Sequence, residues 1–292
     1  MNKKFNLFST VIFSVLILYS IVFIAILIWA GVFSLANYEY DIMFSPTGSY
    51  LVWPQEAFFE NYSVAYKGYK LTVEFGETTK DMMFLDMLGN SLIFAIGMAF
   101  AGTLAPCLMG YITSQFRCKA NAFFDGFVLV VMVLPIVGAL PAAMILMDAL
   151  NLMDSYLGLS LKAFTFLNMY YFIFKAAFGG LSRGYTEAAC IDGASNITIF
   201  LRIMLPLVKT TFLTVFVLLF VADWNSYINI LQYAPNKPTV SYGFYLNMRV
   251  FTNWEDPTRM AGAMILMLPI LLFYVFANKY LMGNLTIGGM KG

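Results

Sequence analysis

From Phe5 to Tyr38 the chain carries no charged side chain. An α-helix rises 1.5 Å per residue, so about 20 apolar residues cross a hydrocarbon core about 30 Å thick. The run is far longer than the roughly 7–15 apolar residues of a signal-peptide core, and it is read as an uncleaved first span. Five more such stretches follow. The spans are expected near residues 10–36, 88–116, 126–147, 157–180, 206–231 and 260–278. The fourth contains Lys162 and Lys175 and the fifth Lys209 and Asp223, so their limits are softer. Hydrophobic residues make up 61% of the chain and charged ones 11%, against about 45–50% and about 25% in soluble domains. That excess exceeds what one soluble core hides. The sequence predicts an all-α integral membrane protein, one membrane domain over residues 1–292, with six transmembrane helices, a long outer loop at 37–87 and an inner loop at 181–205.

Loop cations set the orientation. With the N-terminus inside, Lys3, Lys4, Arg117, Lys119, Lys175, Arg183, Arg202, Lys209, Lys279 and Lys291 fall on the cytoplasmic side, and seven cations, three of them in the 37–87 loop, fall outside. Of 16 acids only Asp125, Glu187 and Asp192 lie inside. Both termini are therefore expected in the cytoplasm. The outer loop should hold a short amphipathic or irregular layer, and its Asn61-Tyr62-Ser63 sequon carries little weight.

Much chemistry is excluded. The net charge of +1 offers no basic face for nucleic acid. There is no His, and Cys107, Cys118 and Cys190 form no CxxC pair, so neither a metal site nor a catalytic residue is expected. The nearest approach to a phosphate-binding loop is Gly283-Asn-Leu-Thr-Ile-Gly288, where Gly289 stands in place of the required Lys. No cofactor is expected on this chain.

The inner loop is the informative segment. Thr186 is suited to cap a helix, Glu187 to favour its first turn, and Ala188 and Ala189 to propagate it with little bulk. Gly193 then breaks the helix, Ser195 or Asn196 caps a second one, and Pro206 marks entry into the fifth span. A short helix, a turn and a second helix present a small surface that can dock in a partner's groove. The same pattern also suits an amphipathic linker lying on lipid headgroups.

The pattern Glu187-Ala188-Ala189, Asp192-Gly193-Ala194 and Ile203-x-Leu205-Pro206 resembles the inner-loop motif of ABC importer permeases. The resemblance extends along the chain: Trp53-Pro54 to Asn61-Tyr62, Asn90-Ser91-Leu92, Pro135 and Pro141, Leu150 to Ser155, Trp224-Asn225-Ser226-Tyr227, and the glycine-rich tail, which is similar to that of maltose-type sugar permeases. One departure is Leu181-Ser182-Arg183-Gly184-Tyr185, where the family usually carries a Pro followed by acids. The resemblance implies the type I ABC importer permease fold in a bacterial inner membrane. It implies a second permease subunit as heterodimer partner, two cytoplasmic ATPase subunits that bind the ATP, an extracytoplasmic sugar-binding receptor, surrounding lipid and no nucleic acid. It makes Glu187, Ala188, Ala189, Asp192, Gly193, Ala194, Ile203, Leu205 and Pro206 the ATPase-coupling residues, and gives the tail residues Gly288, Gly289 and Lys291 a contact with the ATPase.

Polar residues in spans are costly and often mark a pathway. Asp223 follows Pro206 by 17 residues, about 25 Å along a helix, which puts it toward the outer side. Trp224 is suited to stack on a sugar ring and Asn225 to bond its hydroxyls; Asp223 and Trp224 also suit a plain place at the outer interface, where Trp is enriched. An ABC permease for a non-sugar solute stays open, and so does an ion-coupled secondary transporter. The latter would want carboxylates or His deep in the spans, and Asp223, the one candidate, is shallow.

Overall fold

The structure, a computed structural model, describes residues 7–44, 51–75, 78–116, 118–134, 138–251 and 254–282. In chain order the elements begin with α1 (Leu7–Phe33), a π-helical turn at Tyr38–Met43, α2 (Glu60–Gly68), β1 (Leu71–Phe75) and β2 (Thr78–Met82). Then come α3 (Phe84–Gln115), α4 (Ala120–Val133), α5 (Ala139–Ala149), α6 (Tyr156–Ala163), α7 (Met169–Gly179), α8 (Gly184–Ile191) and α9 (Asn196–Ile199). A π-helical turn at Phe200–Met204 leads to α10 (Leu205–Leu207), α11 (Lys209–Asn225), α12 (Tyr227–Tyr233), α13 (Val240–Leu246), a further π-helical turn at Asn247–Phe251 and α14 (Asp256–Met282).

The spans expected first, second and last are single helices, α1, α3 and α14, each long and apolar enough to cross a membrane. The other three are segmented. The third is α4 followed by α5. The fourth is α6 and α7, separated by non-helical residues 164–168. The fifth is α11 with α12, and the stretch Asn196–Leu207 meets α11 at 77°. Pro135 lies outside the described residues.

The outer loop departs from the all-helical expectation. β1 and β2 form an antiparallel pair with Leu71 opposite Met82 and Val73 opposite Lys80. The signal was the alternation Leu71-Thr72-Val73-Glu74-Phe75, a period of two that suits a strand. Thr72 Oγ1 donates to Asp81 across the pair at 2.7 Å.

Two compact units result. The first comprises Met1–Lys70 with Phe244–Pro269. Its α1 exposes apolar side chains all round from Phe8 to Ile28, and burial begins at Ala30, Phe33, Ser34 and Ala36. Asn61 is buried there. Its Nδ2 donates to the Ser34 and Ala36 carbonyls, both at 2.9 Å, and its Oδ1 accepts from Thr258. The sequon asparagine is thus a structural clamp. Tyr69 donates to the Gly262 carbonyl at 2.9 Å, and burial holds its hydroxyl well above the usual phenol range, so it stays a donor.

The second unit comprises Leu71–Gly243 with Ile270–Gly292. Its central helix is α3, against which α6, α7 and α11 pack. Glycines permit the close approach: a β-carbon added at Gly110 would lie 2.8 Å from the Phe174 Cβ. At one end, Asn90 Nδ2 donates to the Pro238 carbonyl at 2.9 Å and Ser91 Oγ accepts from Val240 N at 2.9 Å. At the other end, Gln115 Nε2 donates to the Phe178 carbonyl at 3.2 Å.

Candidate functional site

The segment Gly184–Leu207 is built around one turn. Gly193 stands at φ +77°, the left-handed region that costs other residues strain. Its amide donates to the Cys190 carbonyl and that of Ala194 to the Ala189 carbonyl, both at 3.0 Å. These are the paired bonds of a Schellman motif, which closes the C-terminus of α8. Ser195 caps α9, its Oγ accepting from Thr198 N at 3.3 Å. Pro206 stands in the first turn of α10, where its missing N–H costs nothing.

The start of α8 differs from expectation. The helix opens at Gly184 with no side-chain cap, which places Thr186 inside it. Thr186 Oγ1 instead reaches Gln115 Oε1 of α3 at 3.4 Å. The hydroxyl joins the segment to α3, and at the start of the helix Ser182 Oγ accepts from Gly184 N at 3.3 Å.

The segment has two faces. Ala189, Ile199, Phe200 and Met204 are buried with Cys107 and Tyr111 of α3, Phe174 and Phe178 of α7, and Val208 and Val215; Ala194, Ile203 and Leu205 pack against that cluster. The ring of Tyr111 lies 4.9 Å from that of Phe200 and 5.3 Å from that of Phe178. Three helices and the segment therefore share one core. The opposite face shows Glu187, Ala188, Asp192, Gly193 and Pro206 to the outside. Beside them Ile191 is 86% exposed and Ile197 72%. These two isoleucines were missed by the motif. The signal was two large apolar side chains flanking a turn otherwise made of small and polar residues.

A polar junction lies beside this core. Lys175 Nζ on α7 meets both oxygens of Asp125 on α4, at 2.6 and 2.5 Å. Tyr171 OH donates to the same carboxylate at 2.8 Å. The tail residues Gly288, Gly289 and Lys291 lie outside the described residues.

The expected pathway trio divides. Trp224 is 1% exposed, with its ring 5.9 Å from that of Phe220, so it presents no face to a ligand. Asn225 is exposed, and its Nδ2 donates to the Val221 carbonyl of its own helix at 2.8 Å. Asp223 lies within electrostatic reach of Lys162, a residue the motifs did not single out. Lys162 Nζ donates to Asn229 Oδ1 at 3.1 Å and lies 3.9 Å from the centre of the Tyr233 ring. No group of His, Cys, Asp and Glu suited to a metal ion occurs among the described residues.

A family model described as "Binding-protein-dependent transport system inner membrane component" matches residues 102–284. The chain is 26% identical over 241 residues to the arabinooligosaccharides transport system permease protein of Bacillus subtilis, covering 82% of this chain and 81% of that protein. It is 27% identical to the maltodextrin transport system permease protein of the same organism, covering 73% and 77% of the two chains. It is 28% identical to the sn-glycerol-3-phosphate transport system permease protein of Pectobacterium atrosepticum, covering 68% and 72%. Among solved structures, a chain of a bacterial ABC transporter involved in the import of alginate superposes with a TM-score of 0.70 at 18% identity, covering 96% of this chain and 98% of that one. That likeness is one of fold.

Proposed function

The chain belongs to the family of binding-protein-dependent transport system inner membrane components, and from that premise we propose that it forms half of the translocation pathway of an ATP-driven importer of sugars or oligosaccharides. Relatives whose names specify arabinooligosaccharides and maltodextrin support the substrate class. The subunit itself is not an enzyme. ATP is bound and hydrolysed by two cytoplasmic ATPase subunits, a second permease completes the pathway as a heterodimer, and an extracytoplasmic receptor delivers the sugar. In this reading the chain crosses the inner membrane six times, with α4–α5, α6–α7 and α11–α12 each counting as one span and both termini in the cytoplasm.

One observation carries the coupling role: the segment Gly184–Leu207 is fastened on one face to α3, α7 and α11 and bare on the other. A groove of the ATPase that receives Glu187, Ala188, Ile191, Asp192 and Gly193 would therefore move three membrane helices when it moves. Packed helices have discrete arrangements, so such a push shifts the pathway between inward-open and outward-open states. Ala189, Ala194, Ile203, Leu205 and Pro206 hold the segment in shape, and Gly288, Gly289 and Lys291 add a tail contact. Asp223 and Asn225 line the outer half of the pathway, with Trp224 packed behind them.

Ile191 supplies the test. Changing it to Glu puts a charge into the proposed contact without touching the permease core. Ile191→Glu should keep the melting temperature of the purified permease and lose most of the co-purifying ATPase. Full recovery of the ATPase would count against the coupling face.

A further inference from the structure

We infer that the arm Asn196–Leu207 lies in the headgroup layer of the cytoplasmic leaflet and that Arg202 and Lys209 hold the phosphate of an anionic phospholipid there. The side of the membrane rests on the importer reading above, and the lipid goes beyond it. The depth comes from α11. Its 17 residues rise about 25 Å, close to a hydrocarbon core about 30 Å thick. Lys209 opens that helix, and a charge in hydrocarbon is strongly disfavoured, so its ammonium reaches the headgroup boundary. The arm leaves this corner at 77° to α11. Over its length of about 18 Å it shifts only about 4 Å along the α11 axis. The whole arm therefore stays within a headgroup layer about 5–7 Å deep.

The surface of the arm matches such a layer. One side is closed by the permease core through Ile199, Phe200 and Met204. Away from that core Leu201 is 54% exposed and Leu207 46%, with Ile197 more open still. Large apolar side chains beside cations suit the boundary between acyl chains and headgroups, and they suit open cytosol poorly. Charge is also sorted along the segment. Its two acids, Glu187 and Asp192, both belong to the end read as the ATPase contact. From Gly193 to Ala222 the only charged side chains are Arg202 and Lys209. Both are exposed, and among the described residues neither forms an ion pair. Lys209 stands in the first turn of α11, the positive end of the helix dipole, and no acid in that turn offsets it. Two cations flanking one bend, with no anion of their own, call for an external anion, and the cytoplasmic leaflet supplies one in its acidic phospholipids. The docked helix and the linker on headgroups, both suited to the sequence, are thus the two halves of one segment.

The test is photolabelling of the purified transporter in phosphatidylcholine nanodiscs that carry a trace of a lipid with a diazirine in its headgroup, either phosphatidylglycerol or phosphatidylcholine. Peptide mass spectrometry locates the label. The phosphatidylglycerol probe should mark residues 197–209 at least about fivefold more than the phosphatidylcholine probe. Arg202→Gln and Lys209→Gln should each lower that labelling about fivefold, and the double variant should lower it further. The melting temperature should hold, because both side chains are exposed. Excess inorganic phosphate should leave the labelling unchanged. Labelling of the arm no stronger with phosphatidylglycerol than with phosphatidylcholine overturns the lipid site, and that comparison needs no variant. Labelling that survives in the double variant overturns it too, and so does labelling that free phosphate abolishes, which marks a site for soluble anions. Selective labelling of a chain that neither retains an ATPase nor imports a sugar would leave the lipid site standing and remove the importer reading.

Discussion

Gly193 concentrates the physics of the coupling segment in one residue. Its φ of +77° is a left-handed conformation, yet a β-carbon added there would meet nothing within 4 Å. The penalty for replacing it is therefore conformational and not steric. Left-handed backbone costs an ordinary residue about 1–2 kcal/mol, and Asn tolerates it better than Ala or a β-branched residue. Gly193→Ala should open the Schellman turn roughly fivefold more often, from the lower end of that cost. Gly193→Asn should do so less, and Gly193→Val more. Amide exchange at Ala194, whose N–H closes the turn on Ala189 at 3.0 Å, reads this directly. Equal exchange in all three variants would show that the turn does not depend on glycine. Much of this was legible in the residues, because Glu-Ala-Ala followed by Gly has one economical folded solution. The inward turn of Thr186 was not, because its partner Gln115 lies on another helix.

At the scale of elements, α4 is tied to α7 by one charged junction. The side chains of Lys175 and Asp125 are 27% and 31% exposed, which places the pair between surface and core. The two ends are not equivalent. Without Lys175, the Asp125 carboxylate keeps the Tyr171 hydroxyl at 2.8 Å. Without Asp125, the ammonium of Lys175 loses its ion-pair partner, and it stands in the run read as the fourth span. Removing one partner of a paired charge costs more than the pair is worth. Asp125→Ala should therefore lower the melting temperature of the purified protein more than Lys175→Met, and the double variant should recover part of the loss. Equal single losses that simply add would mean that the two residues act separately. The same scale shows where sequence reading stops. Runs of uncharged residues declared α1, α3 and α14 because length and apolarity suffice. The break after Ala163 contains neither Pro nor Gly, and its only mark is Thr165 and Asn168 inside an apolar run, side chains that compete with a helix for backbone partners. The hairpin of β1 and β2 carries its own signal, the period-two alternation of Leu71-Thr72-Val73-Glu74-Phe75, which an apolar-run criterion does not register.

The directions of the helices in the second unit bear on the whole molecule. Gly97 and Gly102 of α3 meet Ser160 and Ala163 of α6, and Gly110 meets Phe174 and Lys175 of α7, so α6–α7 runs parallel to α3. Leu219 lies against Gly102 while Val208 and Val215 reach the cluster around Cys107 and Tyr111, so α11 runs the opposite way. If α3 and α6–α7 both cross the membrane in one direction, the chain between them must cross once, which makes α4 and α5 together one span. The return through Gly184–Leu207 then lies at the same end as the link from α3 to α4. Two exposed cysteines sit there, Cys118 in that link and Cys190 on α8, while Cys107 is buried. The orientation proposed from the loop cations puts both in the cytoplasm. A membrane-impermeant maleimide added to right-side-out vesicles should label neither, and the same reagent on inverted vesicles should label both. Single replacement by Ser assigns each signal. Labelling of Cys118 and Cys190 from opposite sides would break the parallel relation of α3 and α6–α7 as membrane spans, since helices packed side by side in one direction share their ends. Labelling of both from outside would keep the spans and invert the molecule, leaving the face that carries Ile191 where no cytoplasmic ATPase can reach it.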